Sequence, residues 1–241
     1  MRALATAARV LRQLRHDHRT LALLIVVPCL LLTLLRYVFD ARPQVFDSVG
    51  GPLLALFPFT TMFLVTSVAM LRERTSGTLE RLLTTPLAKT DLLLGYALAF
   101  GTVAVVQTTL ASALVLGPLG LDVAASPGYV VLLAVCDALL GMALGLFTSA
   151  FARSEFQAVQ FLPAFVFPQL LLCGLFAPRA SMADPLRWAS DVFPLTYAVD
   201  GMQRLTAGDT GGGFVRDLVV VAGASLLALA LGSATLQRRS A

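Results

Sequence analysis

Six stretches of about twenty mostly apolar residues recur along this chain, separated by shorter polar segments. A membrane-spanning helix needs about 20 such residues, whereas a transmembrane barrel shows alternating segments of about ten. The pattern therefore predicts an all-α polytopic membrane protein, built as one transmembrane domain over residues 1–241. The predicted spans are residues 21–39, 52–71, 92–116, 129–151, 158–176 and 214–236.

The polar N-terminal segment, residues 1–19, has its own periodicity. Apolar residues repeat at helical spacing, and most of the Arg residues fall on other faces. We expect an amphipathic helix that lies in the headgroup layer of the membrane; a plain basic tail that only orients the chain is the alternative. The predicted apolar face consists of Leu4, Ala7, Ala8, Leu11 and Leu14.

The segment between the fifth and sixth spans, residues 177–213, also carries helix signals. Asp184 stands where a helix cap is expected, with Pro185 at the first helical position. Further on, Leu195, Val199 and Met202 share one face, and Gly208 marks a C-terminal end. We therefore expect one or two short amphipathic helices on the outer side of the membrane.

Composition agrees with a membrane protein and narrows its partners. Of the 241 residues 57% are hydrophobic and 13% charged, against about 25% charged in soluble domains. The net charge of +4 is too small and too scattered to suggest nucleic acid, and it suits anionic lipid headgroups. The three Cys residues all lie in apolar runs, which favours small buried side chains over disulfides.

The distribution of basic residues predicts the orientation. Cytoplasmic segments near span ends carry an excess of Lys and Arg. With the N terminus inside, 12 of the 18 Lys and Arg residues lie on the cytoplasmic side. Both termini, and the segment after the second span, are therefore predicted to be cytoplasmic.

That segment, residues 72–91, contains seven charged residues among twenty positions between two apolar runs. Unpaired polar groups are costly in hydrocarbon, so the segment lies in water or against protein. Thr78 is a candidate helix cap, the sequence "TLERLL" reads as a short helix, and Pro86 ends it. We expect a short helix that another protein grips; a solvated loop without a partner is the alternative.

Two motifs carry a resemblance to a known family. The stretch "LRERTSGTLERLLTTPLAKTDLLLGY" resembles the charged segment after the second span of type-two ABC transporter permeases. The later stretch "PLRWASDVFPLTYAVDGMQRL" resembles the external segment before their last span. The number of spans and the N-terminal helix match as well, so the resemblance covers nearly the whole chain and is strongest to short bacterial drug-efflux permeases.

The resemblance implies a division of labour. Such a permease pairs with a second copy or a paralogue, and each docks a cytoplasmic ATPase subunit through the segment after the second span, the coupling helix. ATP and Mg would then be used by that partner, with no cofactor on this chain. The implied coupling residues are Glu73, Gly77, Thr78, Glu80 and Pro86, which match the family pattern, and Arg72, Arg74 and Arg81 beside them.

The residues give independent support for a separate ATPase. A phosphate-binding loop needs Gly-x-x-x-x-Gly-Lys followed by Ser or Thr. The only lysine, Lys89, follows Ala88, so no such loop is present in these 241 residues, and we expect no enzymatic activity from them.

Asp137 is an ionisable residue inside the predicted fourth span. Such a group costs about 2.5–3.5 kcal/mol on insertion scales, so it should face protein or water. It is either a translocation residue or a buried polar contact with Gln107 or Thr108.

An apolar path is suggested by aromatic residues of the second and fifth spans, although core or lipid contact explains them equally well: Phe57, Phe59, Phe63, Phe161 and Phe165.

Small residues form stripes on two of the predicted spans. Gly141 and Gly145 form a Gly-x-x-x-Gly pattern in the fourth span, and Ala228 and Gly232 repeat the spacing in the sixth. Small residues let helix backbones approach closely in membranes. We expect packing within one subunit, with dimerisation as the alternative.

The favoured function is that of a plasma-membrane permease subunit of a bacterial ATP-driven exporter for an apolar or amphipathic, drug-like compound. An exporter of a lipid or lipid-linked glycan is the closest alternative. A membrane scaffold that transports nothing is the alternative of another class. A neighbouring gene for an ATPase without spans of its own would favour transport.

Overall fold

The regular secondary structure of the residues described is entirely helical. The computed structural model describes residues 2–76 and 89–235, and these contain no strand. The predicted all-α class is thus confirmed. Nine α-helices follow one another within the described ranges: α1 (Arg2–His16), α2 (His18–Val38), α3 (Pro43–Thr75), α4 (Lys89–Leu116), α5 (Pro127–Thr148), α6 (Glu155–Leu172), α7 (Asp184–Val192), α8 (Pro194–Thr206) and α9 (Gly212–Ala234), with a 3₁₀ turn at Arg179–Ser181.

Five of these helices, α2, α3, α4, α5 and α9, are long and apolar enough to cross a membrane. The chain is therefore a multi-pass membrane protein. The predicted fifth span, residues 158–176, coincides with α6, which is not among the five, so the count of six is not confirmed. Gln157, Gln160 and Gln169 dilute the hydropathy of α6. The helix also ends early, because Gly174 adopts the left-handed conformation (φ 89°) just after it.

Helix α3 is much longer than the apolar run that predicted it. It has 33 residues, or about 50 Å at 1.5 Å per residue, against a hydrocarbon thickness of about 30 Å. It begins nine residues before the predicted span, at Pro43, which suits the first turn of a helix. At its other end the helix continues four residues past the predicted span, and these include the charged residues of its last turn.

The centre of the bundle is the close contact of α3 with α5. A Cβ atom placed on Gly141 would overlap the carbonyl oxygen of Phe59, and one on Gly145 would overlap that of Phe63. Thr66 adds a hydrogen bond between the helices by donating to the carbonyl oxygen of Met142 at 3.2 Å. These two glycines therefore set the distance between the helices within one chain.

Helix α9 packs on the other side of α5. Ala228 is buried, and a Cβ atom on Gly232 would lie 3.6 Å from Cα of Phe147, which is ordinary van der Waals contact. The small residues of α9 thus face its neighbour in the same chain, but less tightly than those of α5.

The segment between α6 and α9 contains the two short helices expected there. Leu195, Val199 and Met202 of α8 are all buried, which confirms the predicted face. The predicted cap is wrong by one residue, because Ala183 precedes α7 and Asp184 is its first residue. Asp184 pairs instead with Arg187 at 2.8 Å.

A buried carboxylate fastens α8 to α9, and we call this group the outer ion network, after the side of the membrane that the sequence predicts for it. Asp217 of α9 is fully buried. Its Oδ2 lies 3.0 Å from Nε of Arg204, and its Oδ1 lies 2.8 Å from Nη2 of Arg216. Arg204 also reaches Asp209 at 3.2 Å. The network therefore holds the outer end of α9 against the short helix before it.

Helix α1 is amphipathic as predicted, but its packing face is rotated. The buried side chains are Thr6, Ala7, Val10 and Leu14, whereas Leu4 is 65% exposed. The reason lies in α4, where a Cβ atom on Gly95 would come within 2.5 Å of Thr6 Cβ. Because that glycine lets α1 settle closely onto α4, tertiary contact rather than apolar periodicity chooses the face.

Candidate functional site

The charged stretch begins in the last turn of α3. Arg72 and Arg74 lie in that turn, and the backbone N–H of Ser76 donates to the carbonyl oxygen of Arg72 at 2.9 Å. Basic side chains are favourable at the negative end of a helix dipole. The other predicted coupling residues lie outside the described residues: Gly77, Thr78, Glu80, Arg81 and Pro86.

Arg72 ties this end of α3 to the start of α6. Its Nε and Nη2 donate to the two carboxylate oxygens of Glu155 at 2.7 and 3.0 Å. Glu155 begins α6, and Ser154 caps that helix by accepting from the N–H of Gln157 at 3.2 Å. A bidentate pair fixes direction as well as distance. With side chains 61% and 54% exposed, however, it adds little stability.

Glu73 ties the same turn to two further helices. Its carboxylate lies 3.6 Å from Nη1 of Arg9 on α1, and Nη2 of Arg9 donates to the hydroxyl of Tyr96 on α4 at 2.7 Å. The guanidinium also lies over the ring of Tyr96, 5.8 Å from its centroid. Together with the Arg72–Glu155 pair, these contacts form what we call the inner ion cluster, after the predicted cytoplasmic side. Through it the last turn of α3 contacts α1, α4 and α6.

A cavity of about 560 Å³ opens beside the inner ion cluster. Residues of α1, α2, α3, α4 and α6 line it. Its size falls in the range of small-molecule sites, roughly 300–1,000 Å³. Arg9, Arg72 and Glu73 contribute to its wall, so the cavity and the charged end of α3 form one region.

Asp137 is fully buried within the bundle. Neither of its carboxylate oxygens has a hydrogen-bond partner within residues 2–76 and 89–235. The expected hydrogen bond with Gln107 or Thr108 is therefore wrong for these residues, since Gln107 donates to the hydroxyl of Thr61 instead, at 2.7 Å. Thr61, in the middle of α3, thus takes the hydrogen bond from Gln107 that the sequence assigned to Asp137.

The aromatic residues suggested for an apolar path are dispersed by the fold. Phe59 and Phe63 are fully buried in the core. Phe57 and Phe161 are half-buried, and Phe165 is exposed on α6, where it packs edge-on against Phe161 with ring centroids 6.0 Å apart. Within one chain, only Phe57, Phe161 and Phe165 of these five present side-chain surface outside the core.

Sequence reasoning missed three members of the inner ion cluster: Arg9, Tyr96 and Glu155. Arg9 was one of several basic residues in the N-terminal helix, with nothing to single it out. Two signals were available, namely a tyrosine hydroxyl near the start of an apolar span, and an acidic residue directly after a capping serine. Neither signal names its partner, because Arg9 and Tyr96 are 87 residues apart in the sequence.

Comparison with known proteins places this architecture in a family. Residues 3–205 match the family described as ABC-2 type transporter. The match includes the inner ion cluster, the cavity, the α3–α5 contact and most of α8.

Three relatives show the same likeness at low identity. "ABC transporter G family member 20" of Dictyostelium discoideum is 27% identical over 65% of this chain and 22% of its own length. "Probable multidrug ABC transporter permease YbhR" of Escherichia coli (strain K12) is 27% identical over 61% of this chain and 43% of its own length. "Probable multidrug ABC transporter permease YbhS" of the same strain is 29% identical over 59% of this chain and 38% of its own length. The matched region thus spans less than half the length of these relatives.

Proposed function

The chain belongs to the ABC-2 type transporter family, and from that premise we propose that it is the permease subunit of an ATP-driven exporter. The family match over residues 3–205 is the observation that carries this proposal. Two of the relatives bear the name of probable multidrug permeases, which favours an apolar or amphipathic, drug-like cargo moved outward.

ATP hydrolysis, with its Mg, takes place in a separate cytoplasmic ATPase subunit that grips the segment after α3. The proposed coupling residues are Arg72, Glu73, Arg74, Gly77, Thr78, Glu80, Arg81 and Pro86, which either engage the ATPase or transmit its movement to the helices. The protein sits in a bacterial plasma membrane with both termini in the cytoplasm, as the excess of basic residues near the cytoplasmic span ends suggests.

The inner ion cluster supports this coupling role. A displacement of the segment after α3 acts first on the last turn of that helix. Glu73 passes the displacement to α1 and α4 through Arg9 and Tyr96, and Arg72 passes it to α6 through Glu155. One docking event on the cytoplasmic side therefore moves four helices together, as alternating access requires.

A second permease, either a copy of this chain or a paralogue, completes the transporter. Helix α6 suits the boundary between the two subunits, because its exposed surface carries Gln160 and two prolines, Pro163 and Pro168. Such groups are less suited to lipid than the surface of α2 is. Phe57, Phe161, Phe165 and Asp137 remain the proposed cargo-path residues, together with Phe59 and Phe63 if the core opens during transport.

The test combines binding and transport in one preparation. We expect the wild-type permease to co-purify with its ATPase and to drive ATP-dependent efflux of an amphipathic dye from vesicles. Glu80→Ala and Gly77→Val should reduce both, because they alter the segment that the ATPase grips. Arg187→Ala, which removes an exposed ion pair on the opposite side, is the matched control. Normal efflux from well-expressed Glu80→Ala would contradict the coupling role.

A further inference from the structure

The cavity beside the inner ion cluster has a polarity gradient along its length. On α3, its wall changes from apolar at Leu64, Val65 and Val68 to polar at Arg72 and Ser76. The twelve residue steps from Leu64 to Ser76 correspond to about 18 Å of helix. The cavity is therefore an elongated space, polar at the end of the charged stretch and apolar towards the middle of the membrane.

Helices α2 and α4 run in the opposite direction and repeat the gradient. Helix α2 contributes Asp17 and Thr20 near its start and Leu23 one turn deeper, and α4 contributes Tyr96 and then Phe100. Three helices thus each change from polar to apolar residues along the cavity wall. This is the profile of one leaflet of a bilayer, and an amphiphile with its head at the polar end matches it.

The polar end exposes charges of both signs. Asp17 caps α2 by accepting from the N–H of Thr20 at 3.1 Å and from its hydroxyl at 2.6 Å, and an ionised carboxylate has capacity for further donors. Those hydrogen bonds hold the pKa of Asp17 below its usual range, so it is negative at neutral pH. Arg72 uses Nε and Nη2 for Glu155, which leaves the hydrogens on Nη1 outside that pair.

We propose that this cavity is a binding site for a zwitterionic phospholipid, with its ammonium group at Asp17, its phosphate at Arg72 and one acyl chain between α2 and α3. Guanidinium groups bind phosphate oxygens strongly, and a carboxylate next to them selects a head that also carries a donor cation. An anionic head without an ammonium group would bring no cation to Asp17, and its negative charge would be repelled by the carboxylate. With the topology proposed above, this lipid would come from the inner leaflet of the membrane.

This site does not require the ATPase or the exported cargo. The lipid would fill the space between α1, α2 and α3, next to the Arg9–Glu73 contact, and would hold the amphipathic helix in place. It can therefore be tested on the permease alone, and a negative result would leave the proposed transport function standing.

The experiment uses the full chain in vesicles of phosphatidylethanolamine and phosphatidylglycerol, without ATPase or ATP. Trace photoactivatable analogues of the two lipids are cross-linked and the labelled peptides are identified. We expect the ethanolamine analogue to label residues 64–76 and the start of α2 at least several-fold more than the glycerol analogue does. Equal labelling by both lipids, or labelling spread evenly over all lipid-facing helices, would overturn the proposal.

Two test variants and one control variant sharpen the result. Ala69→Trp fills the cavity and should reduce this labelling several-fold, whereas Val106→Trp, on an exposed surface of α4, should leave it unchanged. Asp17→Asn keeps an oxygen that can cap α2 but removes the charge, and it should bring the ratio of the two lipids close to one. Unchanged labelling of Ala69→Trp, or an unchanged ratio in Asp17→Asn, would each contradict the site.

Soluble phosphoethanolamine in excess separates a lipid site from a headgroup site. Because the acyl chain supplies much of the apolar contact, we expect the soluble compound to leave the labelling intact. Complete competition would show that the cavity recognises the headgroup alone and would overturn the assignment to a membrane lipid.

Discussion

Guanidinium–carboxylate pairs hold helix ends at both sides of the bundle, but their surroundings differ. In the outer ion network, the carboxylate of Asp217 is completely buried between Arg204 and Arg216. In the inner ion cluster, Arg72 and Glu155 are both more than half exposed, and a cavity lies next to Arg9 and Glu73. The carboxylate of Asp217 is therefore enclosed by protein, whereas that of Glu155 is open to water.

This difference indicates which end moves. Separating a buried carboxylate from its partners is costly, because the charge then lacks both water and a counterion. Separating an exposed pair costs little, because water replaces the lost contact. The outer end of the bundle is thus expected to stay together. At the inner end, the exposed Arg72–Glu155 link to α6 can separate at low cost, whereas the Arg9–Glu73 contact, with Glu73 11% exposed, is the costlier one to separate. The proposed ATPase acts on the inner end.

The largest effect is expected from breaking the outer ion network. Arg204→Ala removes one of the two partners of buried Asp217 and should lower the free energy of unfolding by about 2–3 kcal/mol, the range for hydrogen bonds to charged groups. Detergent-induced unfolding followed by circular dichroism measures it. The control Arg187→Ala lacks a buried partner and should change the same quantity by less than about 1 kcal/mol. Equal losses in the two variants would remove the contrast between the ends.

A smaller effect is expected from Glu73→Gln in the inner ion cluster. The side chain is 11% exposed, so loss of its charge should lower the free energy of unfolding by about 1–2 kcal/mol. We expect a disproportionate loss of ATP-driven efflux, with ATPase binding retained, because the contact with Arg9 transmits motion rather than docking the partner. Efflux that falls only in proportion to the amount of folded protein would show a purely structural role.

The exposed pair of Arg72 and Glu155 should contribute least to stability. A double-mutant cycle with Arg72→Gln and Glu155→Gln should give a coupling energy below about 1 kcal/mol that vanishes at high salt. A coupling energy that exceeds this limit and does not decrease at high salt would mean that the helices are held together as strongly at the inner end as at the outer one.

Acidification should affect the two ends in opposite directions, with the smallest amplitude of the four tests. Hydrogen bonds from Thr20 lower the pKa of Asp17 at the inner end. The charged carboxylate therefore stabilises the folded state at pH values above the usual Asp pKa, and this contribution is lost as the pH falls through the lowered pKa. Burial raises the pKa of Asp200 in α8, although Arg179 partly offsets this. Its charged form is therefore unfavourable in the folded state, and stability increases as the pH falls through the raised pKa towards about 4.

The measurement compares the free energies of unfolding of Asp17→Asn and Asp200→Asn with that of the wild type as a function of pH. As the pH falls, the free energy of unfolding of the wild type should decrease relative to that of Asp17→Asn. Relative to that of Asp200→Asn, it should increase. Parallel pH profiles for the two variants would contradict this assignment.

The sequence was informative wherever one helix determines its own behaviour. The apolar runs located the helices, and the periodicity of α8 identified its buried face, because spacing along a helix is a local property. It was also enough to identify residues 72–91 as a charged segment between two spans.

Contacts between distant segments could not be predicted in this way. The rotation of α1 depends on Gly95 in another helix, and the inner ion cluster joins residues that are tens of positions apart. Helix α6 shows a further limit, since its glutamines and prolines make its hydropathy ambiguous even though its position in the chain fits a span. The true partner of Gln107, Thr61, likewise follows from the crossing of α3 and α4 rather than from either sequence.

The most direct test of the account concerns the side of the membrane on which the charged stretch lies. A chain with Cys29, Cys136 and Cys173 replaced and Thr78→Cys introduced is treated with a membrane-impermeant maleimide in inverted and in right-side-out vesicles. We predict labelling in inverted vesicles only, with protection when the ATPase subunit is bound. Labelling in right-side-out vesicles would place the segment on the outer side and contradict the proposed coupling to a cytoplasmic ATPase.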